Sequence, residues 1–308
     1  MTADRSSSAI QCEGLTKVLG SRRVVDSVSL SVEEGEIFGF LGRNGAGKTT
    51  TIRMLMGLMR ATEGSASLLG HPVPLDRAAL RDIGSLVEEP ALYPWMSGHR
   101  NLRVLGPADV SEADMGAALT AVDLQNDARR KVKTYSHGMR QRLGVAIAIC
   151  GRPRLVILDE PANGLDPAGI RDLRETLKKL STSGVTVFLS SHQLGEVERT
   201  CDRAAILHRG KLIAVGGMRE LGAESSDVLV EVAGELHDAA VSALSSFPVS
   251  ALGHGRFAVG SATGAVVGER LASVGIFPEK ISTGVSTLED RFLSLTADAS
   301  EGSDNGEG

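Results

Sequence analysis

Aromatic residues make up only 3% of the 308 residues and the formal net charge is mildly negative at −5, so the chain lacks both the stacking platforms and the basic surface of a nucleic-acid binder. Nucleic acid is therefore not an expected partner. Cysteine is scarce as well. Cys12, Cys150 and Cys201 are scattered without metal-ligand spacing, and their odd number argues against a disulfide framework, which points to a reducing compartment. Long apolar runs are missing: no stretch approaches the roughly 18 residues that a membrane-spanning helix needs. The opening Met1-Thr2-Ala3-Asp4-Arg5-Ser6-Ser7-Ser8 has no signal-peptide core, so the polypeptide is not expected to cross a membrane by itself. What remains, 42% hydrophobic and 23% charged residues, suffices for an ordinary globular core and for two domains.

Glycine, by contrast, is abundant, and Gly42-Arg43-Asn44-Gly45-Ala46-Gly47-Lys48-Thr49 reads G-x-x-x-x-G-K-T. An apolar strand-like run, Ile37 to Leu41, precedes it. Thr49 to Arg60 follows, with Ile52, Met54, Leu55 and Leu58 at helical spacing. This is the pattern of a phosphate-binding loop: the glycines let successive backbone N–H groups turn inward, where they and the positive end of the next helix meet phosphate oxygens. Lys48 adds a full charge near the β and γ phosphates, the Thr49 hydroxyl can ligate a magnesium ion, and Thr50 lies in the same phosphate-binding turn.

A second motif, Leu155-Val156-Ile157-Leu158-Asp159-Glu160-Pro161, is an apolar strand ending in two acids, 111 residues after Lys48 counted to Asp159. Neighbouring side chains at a strand end face opposite ways, so the two can take separate tasks. Asp159 suits an outer oxygen partner for magnesium, and Glu160 suits a group that orients or deprotonates water.

The organisation around these motifs alternates. Residues 1–9 read as a flexible arm. Val24-Val25 and Val28 to Val32 read as strands of a sheet with one wet face, followed by short strands at Gly64 to Gly70 and Ile83 to Val87. Residues from about 91 to 150 change to helical spacing, with Ala117, Leu119, Val122 and Leu124, then Leu143, Val145, Ile147 and Ile149. Apolar runs at 155–158 and 185–189 fit central parallel strands with a helix at 168–180 between them. Beyond Gly216-Gly217 the pattern resets to strand 228–232, helix 236–246, strand 256–260, helix 264–273 and strand 276–282, a small α+β module, and the acidic tail from Ala297 reads as disordered.

Between Lys133 and Leu143 stands Thr134-Tyr135-Ser136-His137-Gly138-Met139-Arg140-Gln141-Arg142. Together with Gly42 to Thr49, Asp159-Glu160-Pro161, Asn163-Gly164-Leu165-Asp166 and Ser191-His192, it resembles the ATP-binding subunits of ABC transporters over about residues 10–216. The resemblance implies an α/β fold: a P-loop ATPase domain with a mixed sheet core and a helical subdomain at about 89–150, followed by a small C-terminal α+β domain at 217–296 and a tail at 297–308. It implies ATP and Mg2+ as ligands, ATP hydrolysis coupled to transport, and a cytoplasmic protein held at the inner face of the cell membrane by a separate permease. In that family the stretch matching Tyr135 to Met139 is the signature motif, which meets the γ-phosphate held by the opposite subunit of a head-to-tail dimer. Ser136 and Gly138 are thereby expected to act in trans, Asp166 at the dimer interface, and His192 as the switch histidine at the γ-phosphate.

Three departures are visible. Many family members carry an adenine-stacking aromatic within K-x-Y-G, where Lys17-Val18-Leu19-Gly20 puts Leu19, so weak discrimination of the base is expected. Glu88 stands where the family has a magnesium-contacting glutamine, and a carboxylate there can still ligate the metal. His137 and Met139 replace the usual glycine and glutamine of the signature, variants that look like the branch exporting or conferring immunity to bacitracin, lantibiotics and anthracyclines. Tyr93 and Trp95 are candidates either for contact with the permease or for a small core under the helical insert. Arg129, Arg130, Lys131 and Lys133 read as a solvated face, and Ser286 to Leu293 resembles a closing segment of exporter ATPases. The rival reading, a soluble ABC-type regulator without a permease, lacks the fused second ATPase unit or long coiled-coil insertion usual in such proteins.

Overall fold

The computed structural model describes residues 8–221, 226–253 and 255–285. The strands β1 (Ser8–Leu19) and β2 (Arg22–Glu33) pair antiparallel as a long hairpin. Ser8 and Ala9 belong to β1, and Ala9 is fully buried, which corrects the expected arm at 1–9; residues 1–7 lie outside the described residues. Then follow β3 (Ile37–Leu41), the helix α1 (Lys48–Leu55), β4 (Glu63–Leu68), the two-residue β5 (His71–Pro72) and β6 (Ile83–Leu86). α1 ends at Leu55 and not at Arg60, because Gly57 turns left-handed at φ +69° and stops it. Ile52, Met54 and Leu55 are buried as expected, whereas Leu58, beyond the stop, is exposed.

The insert is helical: α2 (Gly98–Leu105), α3 (Glu112–Ala121) and α4 (His137–Ile149). Serine side chains cap all three, with Ser97, Ser111 and Ser136 accepting from the backbone N–H three residues on. Next come β7 (Leu155–Leu158), α5 (Pro167–Thr182), β8 (Thr186–Ser191), α6 (Leu194–Thr200), β9 (Arg203–His208) and β10 (Lys211–Gly217); the last three were not expected from the sequence.

Two sheets result. One is four-stranded and antiparallel, in the order β2-β1-β4-β5. The other is six-stranded, β10-β9-β3-β8-β7-β6, and parallel from β9 through β6. β3, β7 and β8 are buried on both faces, as central parallel strands must be. Phe38 and Phe188 stack with ring centroids 5.8 Å apart, and Phe40 lies 5.5 Å from the same Phe188 ring. The register pairs Leu41 with Ser191, Leu158 with Leu189 and Leu86 with Leu158, so the loops after β3, β6, β7 and β8 leave one edge of the sheet together. That carboxyl edge is where open α/β sheets bind ligands.

The chain divides into two compact units between Val215 and Gly216. The second contains α7 (Met218–Leu221), β11 (Ser226–Glu231), α8 (His237–Ala243), β12 (Val249–Gly253), β13 (Arg256–Val259), α9 (Gly264–Ser273) and β14 (Lys280–Val285). Its sheet is antiparallel in the order β12-β13-β11-β14, and Val228, Val230, Ala240, Phe257, Val267 and Leu271 form its core. The β-α-β-β-α-β order gives the α+β module two corrections. β12 was not expected, and the last strand begins at Lys280, after Pro278, with Ile276 buried ahead of it. The segment Ser286 to Leu293 and the tail from Ala297 lie outside the described residues.

Candidate active site

Gly42 to Gly47 joins the end of β3 to α1. At Gly47 the backbone takes φ +109°, and a Cβ there would lie 2.7 Å from the Val24 carbonyl oxygen, so only glycine lets the loop close against β2. Two neighbouring loops pin it: the Gly42 N–H donates to Ser191 O (3.3 Å) and the Gly210 N–H donates to Ala46 O (2.9 Å). Arg43, Asn44 and Gly45 are exposed, Ala46 is buried, and Thr50 sits half-buried in the first turn of α1. Lys48 is 6% exposed; its Nζ donates to Gly42 O (2.7 Å) and lies 3.1 Å from Glu160 Oε1.

The two acids after β7 are treated differently, as their alternation implied. Asp159 is buried: its Oδ2 accepts from Thr49 Oγ1 at 2.8 Å, and its Oδ1 accepts a short hydrogen bond from Ser190 Oγ. Glu160 is held in the left-handed region at φ +49°, with its N–H donating to Ser190 Oγ (2.9 Å). Its carboxylate lies between Lys48 and His192, whose Nδ1 is 2.8 Å from Oε2. Lys48, Thr49, Asp159, Glu160 and His192 thus converge at one sheet edge although they come from three separate loops.

These groups fit a magnesium nucleotide. The loop at Gly47 closes against β2 in a conformation that needs glycine, Lys48 supplies a nearly buried cation beside it, and Thr49 with Asp159 forms an all-oxygen pair suited to a hard cation.

The start of α4 carries the residues that the resemblance implies as the signature. Ser136 is its N-cap, accepting from the Met139 N–H at 3.2 Å, and Gly138 lies in the first turn. The loop after Glu160 packs against this turn: Gly164 has φ +75°, and a Cβ there would collide with the His137 ring at 1.8 Å. Asp166 caps α5 by accepting from the Gly169 N–H at 2.9 Å, and its residue is exposed. Gln141, buried in α4, donates to both Glu160 O and Pro161 O at 3.3 Å, tying the signature helix to the acidic turn.

Glu88 lies just past β6, in the left-handed region at φ +65°, and its carboxylate is taken by Arg53 of α1. Leu19 is exposed at the hairpin end of β1. Tyr93 and Trp95 rings pack at 5.5 Å, but Trp95 is 65% exposed, which rules it out of a small core under the insert. Arg129, Arg130, Lys131 and Lys133 are exposed, with Arg130 paired to Asp127. Burial, with Arg209 and Arg43 adding to it, pushes His208 below its ordinary value of 6.5. All three thiols are buried, and burial pushes Cys12 up to about 11 and raises Cys201 and Cys150 as well.

Ser190 and Gln141 were not singled out from the sequence. Ser190 had one signal available, a hydroxyl ending an otherwise apolar strand one place before Ser191-His192. Gln141 stands within the stretch Thr134 to Arg142 that carries the resemblance, but nothing in that stretch showed that it would reach the turn after β7.

Comparison with known proteins agrees with this geometry. The family model described as ABC transporter matches residues 25–163. The ABC transporter ATP-binding protein YhcH of Bacillus subtilis is 38% identical over 301 residues, covering 96% of this chain and 98% of the relative. The bacitracin transport ATP-binding protein BcrA of Bacillus licheniformis is 43% identical over 213 residues, covering 67% and 69%. Among solved structures, an ATP-binding subunit of an ABC transporter superposes with a TM-score of 0.63 at 31% identity, covering 69% of this chain and 91% of that one.

Proposed function

Because the chain belongs to the family of ABC transporter ATP-binding proteins, we propose that it is the ATP-hydrolysing subunit of an exporter, driving a separate membrane permease that moves antibiotic-like cargo. The convergence of Lys48, Thr49, Asp159, Glu160 and His192 around the glycine cradle carries this reading. The cargo class is supported by likeness to a protein named for bacitracin transport. Among the described residues no helix is long and apolar enough to cross a membrane, so transport requires a partner that does.

The loop backbone and the start of α1 receive the phosphates. Lys48 then exchanges Glu160 for phosphate oxygens, which frees the Glu160 carboxylate to orient and deprotonate a water for attack on the γ-phosphorus. His192, already against Glu160 Oε2, steers that carboxylate and reaches the same phosphate. Thr49 and Asp159 would hold magnesium, and Glu88, paired with Arg53 here, would be a further oxygen ligand for it. Magnesium, when bound, neutralises charge on the β and γ phosphate oxygens. Ser136 and Gly138 of a second copy complete the site from across a dimer, with Asp166 at the seam, so nucleotide joins the two copies and hydrolysis parts them. In this reading Leu19, exposed, gives the base an apolar contact without stacking, and Trp95, exposed as well, belongs to the surface that meets the permease.

The test is phosphate release by the full chain with Mg2+ and ATP. Wild type turns over, Lys48→Ala loses nucleotide, and Glu160→Gln keeps nucleotide but does not turn over. Wild-type turnover by Glu160→Gln would remove Glu160 from its role.

A further inference from the structure

We propose that Ser190 is a positioning residue for both acids of the site, aiming Asp159 and holding the backbone turn of Glu160. The inference rests on the ATPase reading above and adds to it a residue outside the sequence motifs.

Ser190 is fully buried in β8, on the strand beside β7, and the register of Leu158 with Leu189 sets it next to Asp159. Val187, Phe188 and Leu189 ahead of it are apolar and buried, so a hydroxyl at this place needs partners. It has two. Its single proton goes to Asp159 Oδ1, which leaves its lone pairs for the Glu160 N–H at 2.9 Å.

Each bond has a consequence. With Oδ1 occupied, the Asp159 carboxylate is fixed about its last torsion, and Oδ2 is the oxygen presented to Thr49 Oγ1. With its N–H anchored, Glu160 is kept at φ +49°, a conformation a glutamate does not hold without support. That turn delivers its carboxylate between Lys48 and His192. Alanine at 190 would strand a partly buried N–H and a buried carboxylate oxygen together. Ser190 therefore acts through the two acids, as a shared hydrogen-bond bridge between adjacent strand ends.

The full-length protein with Ser190→Ala and Ser190→Thr tests this. Loss of such a supporting bond typically costs about 10- to 100-fold, so Ser190→Ala should lower kcat by that factor while KM for ATP moves by less than about threefold. The Mg2+ concentration giving half-maximal binding of a non-hydrolysable ATP analogue should rise about tenfold, with binding in the absence of divalent ions unchanged. Ser190→Thr, which keeps the hydroxyl, should recover most of both. Wild-type kcat and Mg2+ dependence in Ser190→Ala would overturn the assignment. So would a threonine variant as impaired as the alanine one, or loss of divalent-free binding in step with kcat, which marks general collapse of the site. If Ser190→Ala does not fold, Ser190→Cys, with its weak donor, carries the same comparison. Wild-type protein that binds no nucleotide would instead overturn the underlying ATPase reading, and this inference with it.

Discussion

On the proposed mechanism, in which the Glu160 carboxylate competes with phosphate for Lys48, Glu160→Gln is expected to tighten nucleotide binding as well as stop turnover. Lys48 Nζ lies 3.1 Å from Glu160 Oε1, with the two side chains 6% and 18% exposed. At that separation the gross attraction is about 5 kcal/mol for an effective dielectric constant near 20. Desolvation and the two backbone carbonyls that also hold Lys48 reduce the net to the range of a charge-assisted hydrogen bond, about 1.5–3 kcal/mol. Glutamine keeps an acceptor but not the charge, so about 1–2 kcal/mol of competition disappears, equivalent to about 5- to 30-fold tighter binding. Removing a negative charge beside the γ-phosphate works in the same direction. Isothermal titration calorimetry with a non-hydrolysable ATP analogue and Mg2+, wild type against variant, reads this directly. Equal or weaker affinity in Glu160→Gln would refute the idea that the ion pair must open for nucleotide to enter.

Gly47→Ala should abolish nucleotide binding, since its Cβ would sit 2.7 Å from the Val24 carbonyl at φ +109°; a filter-binding or calorimetric assay checks this, and near-normal binding would contradict it. Phe188→Ala removes a fully buried ring that Phe38 and Phe40 both pack against, and chemical denaturation should show a loss of about 3–5 kcal/mol. Cys12, Cys150 and Cys201 are all buried with raised pKa values, so a thiol reagent at pH 8 should leave the native protein unmodified and label all three on unfolding.

What the sequence made legible was local chemistry. The run from Gly42 to Thr49 carries its strand, loop and helix within one short segment, and Asp159-Glu160 ends an apolar strand whose burial on both faces was plain from its composition. Element ends were less legible. The apolar spacing of Met56, Leu58 and Met59 extends the pattern of α1, but Gly57 breaks the backbone, and that stop was readable from the glycine alone. The strands β9 and β10 escaped notice for different reasons: β9 is a short apolar run buried beside β3, and β10, at the sheet edge beyond β9, is mostly half-buried with no alternation to mark it. Ser190 illustrates the same limit at the site. Its role exists only because β8 lies parallel to β7 in one register, so no window along the chain contains it. Glu88 was read as a metal ligand from its position, and only the fold reveals that Arg53, 35 residues earlier, already holds it.

The central claim, that two copies share each triphosphate, is tested most directly by the molar mass of Glu160→Gln in solution, measured by light scattering with and without Mg2+ and ATP. The account predicts one chain without nucleotide and two chains with it, and a return to one chain when Ser136 is also replaced by arginine. Nucleotide bound at full occupancy to a species that stays a single chain would contradict it.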